Sequence, residues 1–155
     1  MNPISLLIKP TSGLCNLKCE YCFYFDVMDN RDCESFGMMS NNTLEKMIRR
    51  VFEVPRLSVD LMFQGGEPTM IGLDYYELLV ELVQKYNHEN CPVNYTIQTN
   101  GILIDELFAK FFKKHNFLVG ISIDGIKEVN DTFRLDQLGK GTYDRVLNGL
   151  NNLKK

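Results

Sequence analysis

"SVDLMFQGGEPTMIGLDYYELLVELVQKY", residues 58–86, changes its hydrophobic rhythm partway along. Residues 58–63 form a short apolar run rich in β-branched and aromatic side chains, as strands are. From Tyr75 onward, Leu78, Leu79, Leu82, Val83 and Tyr86 recur at the spacing of one helix face. Asp74 with Glu77 has the form of a capping box at the start of that helix. A strand, a glycine-bearing loop and a helix make up the unit from which parallel sheets are assembled.

The unit recurs along the chain. "ISLLI" (4–8), "VNYTIQ" (93–98) and "LVGISI" (118–123) read as three further strands. Leu44, Met47, Ile48, Val51 and Phe52 mark a helix that Asn42 and Glu45 would cap. Another helix runs from about Asp105 to His115 with Leu107, Phe108, Phe111 and Phe112 as its stripe, and a fourth starts near Thr142. Four βα units in succession predict an α/β fold with a parallel sheet and right-handed crossovers. Such sheets bind ligands beyond the carboxyl ends of their strands, whether open or rolled into a barrel. The unusual residues should then follow the strands, and they do: a cysteine loop, "QGGEPT" (64–69), "QTNG" (98–101) and "SIDG" (122–125). Turns alone do not call for Gln64, Glu67, Asn100 and Asp124 together, so this face is the candidate site.

Composition limits the alternatives. The 155 residues are 45% hydrophobic and 24% charged, the balance of a globular domain with a real core. A net charge of −3 offers no basic patch, so nucleic acid is not an expected partner. No run approaches the roughly 18 apolar residues of a membrane span, and "MNPISLLIKP" lacks the basic start and long apolar run of a signal peptide. A cytoplasmic location is expected.

In "CNLKCEYCFYF" (15–25), Cys15, Cys19 and Cys22 are spaced C-x3-C-x2-C. Clustered thiols in a reducing compartment point to metal ligation or catalysis rather than to disulfides. Structural zinc sites and ferredoxin-type clusters normally take four ligands, whereas Cys33 and Cys91 lie in no tight motif and are read as non-ligands. Three thiolates on a four-iron cube leave one iron open for a ligand, and the aromatic residues Tyr21, Phe23, Tyr24 and Phe25 would shield it from water.

With C-x3-C-x-aromatic-C and a G-G-E-P stretch after the second strand, the sequence resembles the radical S-adenosylmethionine (radical SAM) superfamily. That resemblance implies a [4Fe-4S] cluster on Cys15, Cys19 and Cys22 whose free iron chelates the methionine moiety of S-adenosylmethionine. Reductive cleavage of that cofactor gives a 5′-deoxyadenosyl radical, which takes a hydrogen atom from substrate. "IKPTSGLCNLKCEYCFYFDVMDNR", "MFQGGEPTMIGLDYYELL", "QTNGILID" and "LVGISIDG" are similar to the N-terminal half of anaerobic sulfatase-maturating enzymes, which carry a cysteine-rich (SPASM) extension. Those enzymes oxidise a cysteine or serine of a sulfatase peptide to Cα-formylglycine. A peptide or sulfatase substrate and a flavodoxin- or ferredoxin-type electron donor are therefore expected. A different peptide-modifying radical SAM enzyme, or a non-catalytic iron–sulfur module, remains the alternative.

The resemblance also implies individual roles. Tyr21 would lie by the adenine, while Gly65, Gly66 and Glu67 would approach the methionine amino group. Ser122 and Arg134 would hold the ribose and carboxylate end, and an arginine fork suits a carboxylate. Taken singly, Arg134 is equally compatible with a solvated surface charge, and Asp124–Gly125 with a simple turn. Tyr24 and Gln64 would stand near the substrate, and Gln98, Thr99 and Asn100 would line its channel. The family's core is a partial (β/α) barrel of six units. Residues 1–155 would supply four of them, with later cofactor contacts and auxiliary-cluster cysteines beyond residue 155. An open strand edge and a wet inner apolar face would be expected of such a half barrel.

Overall fold

The computed structural model describes residues 1–33 and 35–155, without the side chain of Phe25, so the expected shielding role of that ring lies outside the described residues. Its centre is one four-stranded sheet of β1 (Asn2–Ile8), β2 (Arg56–Phe63), β3 (Val93–Thr99) and β4 (Leu118–Ile121), all parallel and in sequence order. The helices are α1 (Phe23–Asp29), α2 (Asn41–Val51), α3 (Leu73–Tyr86), α4 (Glu106–Lys114), α5 (Lys127–Phe133) and α6 (Tyr143–Leu153). This is the α/β arrangement that the repeating rhythm predicts.

Alternation along the strands decides which face is covered. Leu61, Tyr95 and Leu6 share one register row, and Phe63, Ile97, Ile8 and Val119 the next. These rows face α2, α3 and α4 and form the core with Leu44, Ile48, Tyr76, Leu79, Val83, Phe108 and Phe112. Phe117, just ahead of β4, stacks on Tyr95 at 4.8 Å between centroids and meets Phe112 at 5.0 Å. Tyr76 is fully buried, and its hydroxyl donates to the Pro68 carbonyl at 2.9 Å. A core helix thereby holds the loop that follows β2.

The opposite face is only partly the wet apolar surface expected of it, with Leu7 and Leu118 exposed but a polar row below them. Ser5, Asp60 and Asn94 occupy one register row there. Ser5 Oγ and Asn94 Nδ2 each donate to the Asp60 carboxylate at 2.8 Å. Leu7, Met62, Thr96 and Leu118 form the row above. Polar groups paired across strands let this face meet water without leaving donors orphaned.

Two expected caps are also corrected. Ser40, not Asn42, caps α2, its hydroxyl accepting the Thr43 N–H at 3.2 Å. Asp74 lies inside the first turn of α3, which starts from Gly72 with no side-chain cap. α4 begins where the sequence places it, and Asp105 caps it by accepting the Phe108 N–H at 2.9 Å. The sequence reading missed α1 and α5, each seven residues long. Among the described residues no helix is long and apolar enough to cross a membrane.

Candidate functional site

A cavity of about 280 Å3 opens at the carboxyl ends of the strands. Its wall includes Cys15, Cys19 and Cys22, the glycine loop 64–67, Gln98 to Asn100, Ser122 and Arg134, together with Tyr21, Phe23 and Tyr24. The three cysteines and the residues expected to contact cofactor or substrate thus line one space, although Cys15 and Arg134 lie far apart in sequence.

The cysteine loop is held from two sides. On one side, Glu67 N–H donates to the Leu14 carbonyl at 2.8 Å. Gly66 has φ of +49° and sits so close that a Cβ would overlap that carbonyl, so glycine is required twice over. On the other side, the segment after α5 acts as a strap. Lys18 N–H donates to Leu135 O at 2.7 Å and Glu20 N–H to Phe133 O at 3.0 Å. Gln137 Nε2 donates to the carbonyls of Cys15 and Leu17, each at 3.1 Å. The signal for this strap is absent from local sequence because its partners lie more than 110 residues apart.

All five cysteines are free thiols, with Cys33 exposed and Cys91 half-buried beside the core. Burial pushes the Cys15 thiol up to about 11, opposed by the Leu17 N–H and reinforced by Glu67, Cys19 and Cys22. Burial raises Cys19 too, with Arg134 pulling the other way. The mutual influence of the three thiols reflects their closeness. Among the described residues, no three Cys, His, Asp or Glu side chains already surround a common point as metal ligands. Thiols that resist ionisation alone still ionise readily against a cationic metal.

Across the cavity stands Arg134, at the C-terminal end of α5 and only 7% exposed. The surface-charge reading therefore fails. Its Nη1 donates to the Tyr21 hydroxyl at 2.7 Å and lies 3.7 Å from Asp124 Oδ1. The Tyr21 hydroxyl in turn donates to Asp124. Although burial opposes its charge, Tyr21, Cys19 and Asp124 hold the guanidinium above its ordinary value. Arg134 Nε is buried without a hydrogen-bond partner among the described residues. An orphaned buried donor on a cavity wall fits an anionic ligand group. Asp124, named for this face with a simple turn as the alternative, is thus the partner of Tyr21 and Arg134, and its backbone N–H donates to Asn130 Oδ1 at 3.3 Å.

Ser122 accepts from Gln98 Nε2 at 2.8 Å, which leaves its own proton for a ligand. Lys9 passes beneath Gly65 and sets its ammonium 4.6 Å from the centre of the Tyr24 ring. The Glu67 side chain is held within the protein. It is 1% exposed, and its carboxylate accepts from Thr69 N–H, Thr69 Oγ1, Thr99 Oγ1 and Asn100 N–H. Its hydrogen-bonding groups are engaged within the protein, so its part is to fix the glycine loop against the end of β3.

Comparison with known proteins agrees with this geometry. A profile of the radical SAM superfamily matches residues 10–155. The whole chain is 48% identical to 41% of the length of a cysteine-type anaerobic sulfatase-maturating enzyme of Clostridium novyi. Nearly all of it (99%) is 36% identical to 37% of a serine-type anaerobic sulfatase-maturating enzyme of Bacteroides thetaiotaomicron. The solved structure of native anSMEcpe with bound AdoMet superposes with a TM-score of 0.91 at 46% identity, over 97% of this chain and 41% of that one. Its complex with AdoMet and the Cp18Cys peptide gives 0.89 at 44% identity, over 98% of this chain and 40% of that one. The chain thus spans about two-fifths of these relatives.

Proposed function

The chain belongs to the radical SAM superfamily, and from that premise we propose that it forms the cofactor-binding part of an anaerobic sulfatase-maturating oxidoreductase. In this reading, residues 1–155 are the first four βα units of a six-unit core. Cys15, Cys19 and Cys22 hold a [4Fe-4S] cluster with one open iron. Tyr21 lies by the adenine of S-adenosylmethionine, and Gly65 and Gly66 approach its amino group on a loop that Glu67 fixes. Ser122 and Arg134 take the ribose and carboxylate end. When bound, the cluster and cofactor supply a one-electron reduction and a carbon radical able to abstract hydrogen.

The observation that carries this reading is the convergence of three thiols, a glycine loop and a buried arginine with an unpartnered Nε on one cavity. Tyr24 and Gln64, on the same wall, face a peptide side chain that is oxidised to Cα-formylglycine. The higher identity to cysteine-type than to serine-type maturases favours a cysteine target. A reduced flavodoxin or ferredoxin in the cytoplasm supplies electrons, and neither nucleic acid nor membrane takes part.

Anaerobic reconstitution with iron and sulfide, followed by EPR of the reduced protein, tests the proposal. S-adenosylmethionine should alter the spectrum of one cluster, and Cys15→Ala should remove about four irons together with that response. A spectrum indifferent to the cofactor, or an unchanged iron count in the variant, would overturn it.

A further inference from the structure

The cavity wall contains a polar chain that the roles above leave unused. It starts at the buried Glu67, whose Oε2 accepts the Asn100 backbone N–H at 2.7 Å. Asn100 is itself only 5% exposed. Its side-chain Oδ1 accepts the Ile102 N–H at 3.0 Å, a bond that only the carbonyl end of the amide can form. That bond fixes which way the amide faces, and Nδ2 is turned toward the cysteine loop. There it donates to Asn16 Oδ1 at 2.7 Å and lies 3.9 Å from Cys15 Sγ. The Leu17 N–H approaches the same sulfur at 3.4 Å.

Two protons on Nδ2 suit these two acceptors, Asn16 and Cys15. A charged acceptor draws its donors closer than a neutral one, so ligation as a thiolate would tighten the sulfur contact. Hydrogen bonds to ligating sulfurs are one means by which a protein sets a cluster's potential, because they favour the more electron-rich reduced form.

We propose that Asn100 is a positioning residue for Cys15, holding the loop through Asn16 and directing an amide proton onto the sulfur, and so raises the reduction potential of the cluster bound there. Glu67 is its anchor, fixing the backbone from which the amide reaches. The proposal rests on the cluster reading given above and adds to it a residue outside the cysteine and cofactor-binding sets.

The test is an EPR-monitored redox titration of the intact, reconstituted protein, following the signal that S-adenosylmethionine perturbs. Asn100→Ala removes the donor without adding charge, and Asn100→Asp keeps the Ile102 contact while replacing the donor with an anion. Both should retain the perturbable cluster with a more negative midpoint. The one-electron reduction constant should fall at least threefold, about 28 mV, and further in Asn100→Asp. Loss of the cluster from a variant that circular dichroism shows to be folded also supports the anchoring of Cys15. Midpoints equal to wild type in both variants overturn the proposal while leaving the cluster assignment intact. No perturbable signal in the wild type overturns the cluster assignment itself.

Discussion

The Arg134 guanidinium donates to the Tyr21 hydroxyl at 2.7 Å, joining residues 113 positions apart across the mouth of the cavity. The bond ties the end of α5 to the cysteine loop and commits one nitrogen of the fork, while the buried Nε has no partner among the described residues. Charge-assisted hydrogen bonds of this kind contribute about 1.5–3 kcal/mol each. Arg134→Lys keeps the charge but loses the planar fork. It should weaken S-adenosylmethionine binding about tenfold or more, measured by equilibrium dialysis on the reconstituted protein. Wild-type affinity in that variant would show that the fork is not a cofactor ligand.

Gly66→Ala should be among the most damaging single changes at the site. Its φ of +49° disfavours any side chain, and the added methyl would overlap the Leu14 carbonyl, which cannot rotate aside as a side chain can. A loss of about 2 kcal/mol or more in urea unfolding is expected, together with poorer iron loading. Gly139→Ala is the control. That residue also has positive φ, but nothing lies within 4 Å of its missing Cβ, so its cost should be backbone strain alone. Equal costs for the two would remove the argument from close approach.

Glu67→Gln preserves shape but puts an NH2 group among donors that need an acceptor. The carboxylate serves both Thr69 and Thr99 hydroxyls and two backbone N–H groups, all in a dry interior. A buried donor left without its acceptor costs about 1–3 kcal/mol. The variant should unfold at correspondingly lower urea and show faster amide exchange at Thr69 and Asn100. Unchanged exchange at these two amides would contradict the anchoring role.

High pH should unfold the protein through its buried phenols. Burial raises Tyr75 and Tyr76, and it pushes Tyr95 up to about 12. An unfolded tyrosine loses its proton near ~10. Above that pH the unfolded chain binds fewer protons than the folded one, so stability falls as pH rises. The contribution of these groups is complete below about pH 10; that of Tyr95 is lost through about 12, and those of Tyr75 and Tyr76 at higher pH still. Tyrosinate absorbance from these three buried phenols, beyond that of the more exposed tyrosines, should therefore appear in step with loss of circular dichroism. Ionisation of the whole set in a protein that keeps its dichroism would refute the burial argument.

Much of this was legible before any coordinates. Short apolar runs rich in β-branched and aromatic side chains located the four strands, period-3.6 runs located four helices, and the cysteine spacing with "GGEP" pointed to the candidate site. Two helices escaped for physical reasons. In α5 the fully buried residue is the polar Asn130, so no apolar stripe betrays it. In α1 the chain enters directly from Cys22 with no capping side chain. The apparent capping box at Asp74 misled because Gly72 starts α3 two residues earlier. Asp124, Asn16 and Gln137 could not be assigned from sequence, since each acts on a partner brought near only by the closed sheet. Glu67 lines the candidate cavity, but its inward role depends on Thr99 and Asn100 at the end of β3.

The strap at residues 133–141 has a bearing on biosynthesis. At roughly 5–20 residues per second, a ribosome that has just made Cys22 needs several more seconds to reach Gln137. Throughout that interval the thiols lack the strap that holds their loop from the second side. In the proposed reading, iron delivered to the nascent chain would meet a loop not yet strapped, and cluster insertion would follow translation past α5.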